Sequence, residues 1–457
     1  MKRILLLIQL IICSYIVYSQ DTQNSSPEVK KPKRCATTEY MNEQKALNPS
    51  LEVQIQQLEE FTQEWIKNNP TETNSEGKTI ITVPVVVHIL YYNSTQNIAD
   101  ARVTEQIDIL NRDYAGLNTH SMNAFSSSLK TDTELRFCLA KRTPTGTYTN
   151  GIERRQTTVT GFSYDDKVKH YSQGGLDQWN PNKYMNIWVC NFLTSINICG
   201  YAQFPTSTLN SNYGVVISYK YFGLSGSANA PYNLGGTTSH EIGHCFNLYH
   251  IWGDDNGTCT QTSPGNGSDG CNDTPNQGDA TYGNHLPYNS YSNPVGNFNN
   301  QGQNSTTLTD NCSLNSPGIM YMNFMDYVDD IEYANFTPNQ KSRIQALFVT
   351  GGALAALKTS NGCTPGVGVE ETNAINDFNI YPNPSKGSIN ISCELVNTTN
   401  VTITVSNLLG EVISKIEKQK VSSLNIPIDL SLQSSGIYYV KIQTASETLT
   451  KKISLVK

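Results

Sequence analysis

The chain has 457 residues, a formal net charge of −7, eleven cysteines and only 16% Asp, Glu, Lys and Arg. At about 150 residues per domain this allows roughly three units with ample chain for a core, and the acidic balance excludes a partner held by phosphate neutralisation, so no nucleic acid. Few charges, with abundant Asn, Thr, Ser, Gly and Tyr, point to a protein outside the cytoplasm, where cysteines pair.

Met1-Lys2-Arg3, an apolar run from Ile4 to Val17 and then Ser19-Gln20 predict a signal peptide over residues 1–19. The run is too short to span a membrane, and Cys13 within it is an apolar filler. Residues 20–78 are polar, with one helical stretch from Leu51 to Lys67 and a turn-rich exit at Asn68-Asn69-Pro70. A polar segment between a signal and a folded unit reads as a propeptide. Its basic cluster, Lys30 to Cys35, is otherwise a solvated tail.

From Thr79 the composition changes. Ile80 to Leu90 is a β-branched run expected as a buried strand, with Leu135–Ala140 and Met185–Cys190 as further strands. Ala101 to Tyr114 places Val103, Ile107 and Leu110 at helical spacing. His88 lies in the first apolar strand and is expected as a core histidine, while His120, His170 and His285 are expected at the surface. Cys138, Cys190 and Cys199 fall in or beside strands, either pairing locally or standing as buried thiols. Gly200-Tyr201-Ala202-Gln203-Phe204 is a short strand closed by Pro205, a residue set suited to a sheet edge.

The chemistry is concentrated in His240-Glu241-Ile242-Gly243-His244-Cys245-Phe246-Asn247-Leu248-Tyr249-His250. On a helix, His240 and His244 share a face, so both rings reach one metal. Glu241 stands beside them, placed to take a proton from a water that the metal activates. Six more helical steps would carry His250 to the far side, so the helix must end before it. Asn247 is the residue that permits this, since Asn tolerates the left-handed conformation better than any residue except Gly. Three neutral imidazoles and one water make an open tetrahedral site, the catalytic rather than the structural zinc pattern.

Residues 256–300 are rich in Gly, Asn, Ser, Asp and Pro, too polar for a core. The oxygens around Asp269, Asp273 and Thr274 suit calcium, with a hydrogen-bonded turn as the alternative. A helix is expected from Pro338 to about Leu357 and a linker over 361–375. From 376 to 457 the chain alternates with period two, as in Val401-Thr402-Ile403-Thr404-Val405 and Tyr438-Tyr439-Val440-Lys441-Ile442, which predicts a small all-β sandwich.

Asn323-Phe324-Met325-Asp326-Tyr327 resembles the methionine turn of metzincin peptidases. Together with His240 to Asp255, Asp273-Thr274-Pro275 and Phe336-Thr337-Pro338, it makes residues 80–357 similar to the pappalysin family. That resemblance implies an α+β catalytic domain over 79–360, with a mixed twisted sheet, an active-site helix and a C-terminal helix. It implies zinc on His240, His244 and His250, Glu241 as general acid/base, Met325 as a floor beneath the metal and Tyr327 as an oxyanion stabiliser. Residues 200–204 would pair with extended substrate, Cys312 would bridge to Cys259 or Cys271, and the loop around Asp269 would hold calcium, as in relatives. Arg34-Cys35-Ala36-Thr37 resembles the segment whose thiolate keeps relatives latent by ligating zinc. Some pappalysins favour Arg or Lys beside the cut, and Asp329 and Asp330 follow the methionine turn. Tyr381 to Gly387 and Gly436 to Lys441 resemble a type IX secretion sorting domain, which implies that secretion machinery as a partner. The expectation is a secreted zinc endopeptidase acting on proteins or peptides; the alternative is a zinc-stabilised surface adhesin.

Overall fold

A computed structural model describes residues 31–70, 79–226, 228–254, 257–260, 263–285, 307–366, 374–445 and 447–457. The expected signal peptide, both ends of the expected propeptide, part of the polar loop and part of the linker lie outside the described residues. Two helices come first, α1 (Thr37–Leu47) and α2 (Ser50–Asn68).

The β-branched run forms β1 (Ile81–Tyr91), buried along nearly all its length, as expected for a strand covered on both faces. α3 (Asp100–Tyr114) follows, then β2 (Leu135–Leu139), β3 (Ile152–Gln156), β4 (Met185–Cys190), β5 (Gly200–Ala202) and β6 (Val215–Ser218). The sheet runs β2-β1-β4-β6-β5, and β3 continues the β2 side of β1. All pairs are parallel except β5 with β6, so β5 is an antiparallel edge with one free side. Gln203 N–H carries the same register one step further to Gly214 O, and Pro205 follows soon after the strand's end.

α4 (Gly236–Cys245) packs against β5, β6 and α3. A short bridge joins β7 (Ser263–Pro264) to β8 (Gly267–Ser268). α5 (Pro338–Ala346) opens with a reciprocal cap between Thr337 and Gln340. The helix expected to reach Leu357 stops at Ala346, since Gly351 takes φ 89°, and resumes only as α6 (Ala355–Lys358).

Cys138 does not pair locally. It bridges Cys363, leaving Cys190 and Cys199 as buried thiols, while Cys312 joins Cys259 rather than Cys271. The first bridge, with Gly366 N–H on Lys141 O, fastens residues 361–366 to the catalytic sheet, so the expected linker begins later than 361. His88 is buried as expected, stacked on Trp188 at 5.0 Å and bonded to Glu153 and Asn186.

The tail is antiparallel: β9 (Ile375–Tyr381), β10 (Ser388–Asn407), β11 (Val412–Asp429), β12 (Gly436–Gln443) and β13 (Thr448–Leu455). β10 carries β9 on its first half and β12 on its second, with β11 along its other side. Register shifts between Glu394 and Val401 separate the halves, and Ile391 and Ile403 from either half enter one core. That core shares no residue with the catalytic cores. No helix among the described residues is long and apolar enough to cross a membrane.

Because the tail closes its own core, a chain ending at Gly366 should keep the catalytic unit's thermal midpoint to within about 2 °C. A fall of more than about 5 °C by calorimetry would show that the tail braces the catalytic fold.

Candidate active site

α4 delivers His240 and His244 from one face, and the chain then reverses at Asn247, whose φ is 62°. The reversal brings His250 back, with its Nε2 3.1 Å from His244 Nε2; His240 Nε2 is 3.2 Å from His244 Nε2. Asn247 is fixed by its surroundings, since its carbonyl accepts from Arg343 Nε at 3.1 Å and Nη2 at 3.0 Å.

Each imidazole is oriented through its other nitrogen. His240 Nδ1 donates to Phe324 O at 2.7 Å, His244 Nδ1 to Leu248 O at 2.8 Å, and His250 Nδ1 meets the Asp254 carboxylate at 2.9 Å. These partners commit the Nδ1 positions to carrying the proton and leave three Nε2 lone pairs aimed at one point. Burial first, then the neighbouring imidazoles, holds His240 and His244 well below the usual histidine range, so both rings are neutral. Three buried acceptors facing one another need a cation between them. Their spacing is close to the roughly 3.3 Å edge of a tetrahedron with ~2.05 Å zinc–nitrogen bonds. The residues therefore fit zinc. Among the described residues, the one group of three or more His, Cys, Asp or Glu side chains that converges in this way is Cys35 with His240, His244 and His250.

Glu241 is fully buried, and burial pushes its carboxyl up to about 8. One of its oxygens accepts from Thr37 Oγ1 at 2.8 Å and lies 3.4 Å from Cys35 Sγ; the other has no protein partner. The Tyr327 hydroxyl is 3.0 Å from His250 Nε2. Met325 lies directly under α4: a Cβ on Gly243 would stand 2.5 Å from Met325 Sδ, so only Gly allows that contact.

The segment expected as a propeptide lies along the cleft. Lys33 N–H donates to Asn197 O at 2.9 Å, Cys199 N–H to Lys33 O at 2.9 Å and Ala36 N–H to Gly200 O at 3.0 Å, extending the sheet beyond β5. Cys35 Sγ sits 3.6 Å from His244 Nε2. Arg34 is fully buried, paired with Asp330 and lying over the Tyr232 ring at 4.2 Å and the Tyr333 ring at 5.1 Å. Asp330 Oδ2 also accepts from Leu234 N–H at 2.8 Å and Gly236 N–H at 3.1 Å, ahead of α4. Further along, α2 presents Glu59 to Arg343 through two bonds of 2.8 and 2.7 Å. Burial alone would raise the Glu59 carboxyl; the Arg343 charge holds it below its ordinary range.

Asp269, Asp273 and Thr274 lie apart from this centre. Asp269 accepts from Thr274 Oγ1 at 2.8 Å and Cys271 N–H at 3.0 Å; Asp273 accepts from Thr337 Oγ1 at 2.7 Å and Asn339 N–H at 2.8 Å, at the start of α5. Sequence reasoning missed α1, β3, β6, the buried place of Arg34 and the orienting carboxylate of Asp254. Asp254 left a signal, an acid four residues after the third histidine, and β6 left another, the β-branched run Val215-Val216-Ile217.

Residues 165–349 match the family model described as pregnancy-associated plasma protein-A, and residues 379–456 match the secretion system C-terminal sorting domain. Among solved structures, mature mirolysin of Tannerella forsythia with a cleaved peptide is 39% identical, with a TM-score of 0.53, covering 62% of this chain and 97% of its own. A promirolysin mutant from the same organism is 36% identical, with a TM-score of 0.58, covering 71% and 96%. An extracellular metalloprotease of Verticillium alfalfae is 30% identical over 287 residues, 61% of this chain and 79% of that protein.

Proposed function

The chain belongs to the pappalysin family and is a secreted metalloendopeptidase, and on that premise we propose the residues that carry its reaction, its selectivity and its latency. His240, His244 and His250 hold zinc, which when bound supplies a Lewis acid that polarises a peptide carbonyl and lowers the pKa of water. Glu241 takes the proton of the attacking water and returns it to the departing amine. Tyr327 donates to the carbonyl oxygen as that oxygen gains charge. The observation that carries this reading is that Cys35, Glu241 and the three Nε2 atoms meet at one buried point.

The selectivity we propose is for Arg or Lys beside the cut. Its support is Arg34, a guanidinium already seated between two tyrosine rings against a buried carboxylate next to the metal centre. A substrate guanidinium entering after the propeptide leaves meets the same partners.

Residues 20–78 act as a propeptide that blocks the centre through Cys35, whose thiolate takes the position the water needs. The larger share of this chain matched by the promirolysin structure than by the mature one agrees with a retained pro-segment. The chain beyond Gly366 connects to the tail, which the secretion machinery recognises. The calcium expected around Asp269, Asp273 and Thr274 is proposed on the loop's oxygen-rich composition alone.

Glu241→Ala should retain about one zinc per chain and lose at least 100-fold in kcat, roughly the size of a general-base contribution; comparable turnover in that variant would remove Glu241 from the mechanism. Tyr327→Phe should lower kcat by about tenfold with KM little changed, as for a contact made in the transition state. Products sequenced from a peptide library should carry Arg or Lys beside the cut, and Asp330→Asn, which keeps acceptors for Leu234 and Gly236, should cut kcat/KM for basic peptides by roughly tenfold or more. Apolar residues dominating both sides of the cut would overturn that selectivity. Cys35→Ala proform should show activity before any proteolysis, about tenfold above the parent proform; complete latency would mean that the propeptide blocks by bulk alone. Millimolar calcium should raise the melting temperature by a few degrees (~1 kcal/mol), a gain that Asp269→Asn removes. An unmoved midpoint retires the calcium.

A further inference from the structure

Past Cys35 the propeptide turns into α1, and the first buried aromatic it offers is Tyr40. Its hydroxyl donates to Asp166 Oδ2 at 2.9 Å and lies 3.2 Å from Gln203 Oε1. The ring faces Tyr201 at 4.8 Å and stands 5.0 Å from the Lys169 ammonium. Lys169 is fully buried, with Nζ 2.8 Å from Asp166 Oδ1 and donating to Asn212 O at 2.7 Å. These receiving groups all belong to the catalytic unit, and the propeptide only caps them. The Tyr201 hydroxyl is also buried there without a partner.

This basin lies on the other side of the metal centre from Arg34. Along the sheet edge the propeptide places Lys33 at Ile198, Ala36 at Gly200 and Thr37 at Ala202, and then Tyr40 at Gln203. Arg34 and Tyr40 thus flank Cys35, one in the Asp330 pocket and one here. Gly200 stands beside Glu241, and Gln203 is three residues further, about 10 Å at ~3.3 Å per extended residue.

We propose that, once the propeptide has left, Asp166, Lys169, Tyr201 and Gln203 form a recognition subsite that takes a tyrosine side chain of the substrate, two to four residues from the scissile bond on the side away from the basic residue. The chemistry selects a neutral aromatic donor. The Asp166–Lys169 pair has no net charge, so a substrate carboxylate meets Asp166 and a substrate ammonium meets Lys169, each unfavourably. A phenol donates its one proton to Asp166, sets its oxygen beside the Gln203 amide and lays its ring beside the ammonium. Phenylalanine fills the same space but leaves buried acceptors unpaired, the situation in which discrimination between close analogues is largest. The proposal rests on the peptidase reading above and deepens it.

The test uses full-length zinc-loaded enzyme activated by limited proteolysis. A parent peptide carries Arg on one side of the cut and Ala at the second, third and fourth positions on the other. Tyr and then Phe replace each Ala in turn. At one of the three positions Tyr should raise kcat/KM about tenfold over Ala and several-fold over Phe, the scale of a hydrogen bond to a charged acceptor. Asp166→Asn, a residue that tolerates the φ of 62° at that position, exchanges the charged acceptor for a neutral one and should lower the Tyr/Phe ratio by about threefold or more. Cleavage of the parent with no preference for Tyr at any position overturns the subsite while leaving the peptidase reading intact, and makes the basin a dock for the propeptide alone. A parent peptide that is not cut at all overturns both. The substrate series on the unmodified enzyme decides the matter even if Asp166→Asn fails to fold.

Discussion

Three imidazole lone pairs do not gather in a protein interior unless something forces each ring to face inward, and here that force is the bond made by the opposite nitrogen. Phe324 O, Leu248 O and Asp254 fix the three rings. Each belongs to a different piece of chain: the methionine turn, the reversal after α4 and the segment past His250. The metal centre therefore exists only when the two halves of the catalytic unit are packed together. Met325 under Gly243 performs that packing at the point where a single added carbon would separate them. The reversal at Asn247 depends in turn on Arg343 from α5, which bonds the Asn247 carbonyl. A change in α5 is thus felt at His250 although no side chain of α5 approaches the metal position.

The N-terminal segment, proposed as a propeptide, engages the same elements. Its hold combines β-augmentation along a sheet edge with two charged contacts, Arg34 to Asp330 and Glu59 to Arg343. Buried ion pairs add little net stability against well-packed apolar groups, but removing one partner leaves a desolvated charge. That asymmetry suits a segment that must bind in one register and then be lost. While bound, it pins α4's entry through Asp330 and its exit through Arg343. Under the proposed activation both charges would face water in an opened cleft, where the penalty falls away and Asp330 would be free to receive another cation, so that the proposed latency and selectivity would share one carboxylate.

What the sequence reveals follows from how local the cause is. The zinc histidines and Glu241 are legible because helix geometry alone puts residues four apart on one face, and His250 because Asn247 signals the end of the helix. β1 and β4 are legible as β-branched runs buried on both faces. β11 is not, since its Lys, Ser, Gln and Glu content reflects exposed positions at the side of the tail sheet. The break in α5–α6 is marked by Gly351-Gly352, but a long helical pattern outweighs two glycines until the packing against Leu347 is seen. Cys138 with Cys363 joins residues 225 apart, and nothing in either neighbourhood specifies the other. Arg34 looks like part of a solvated basic cluster because its partner arrives from almost 300 residues away.

The placement of the tail follows from the same reasoning about locality. A sorting unit that leaned on the catalytic core would couple recognition by the secretion machinery to the state of the propeptide, since loss of residues 31–70 alters the surface of that core. With β9 to β13 closing around their own apolar residues, and with Cys138–Cys363 and Gly366 tying the end of the catalytic unit down before the connection begins, the two are insulated. The disulfide anchors Cys138 within β2, at the end of the sheet away from β5, where strain from a tethered tail would enter it. The edge strand proposed to receive substrate is at the opposite end of the sheet from this point of attachment.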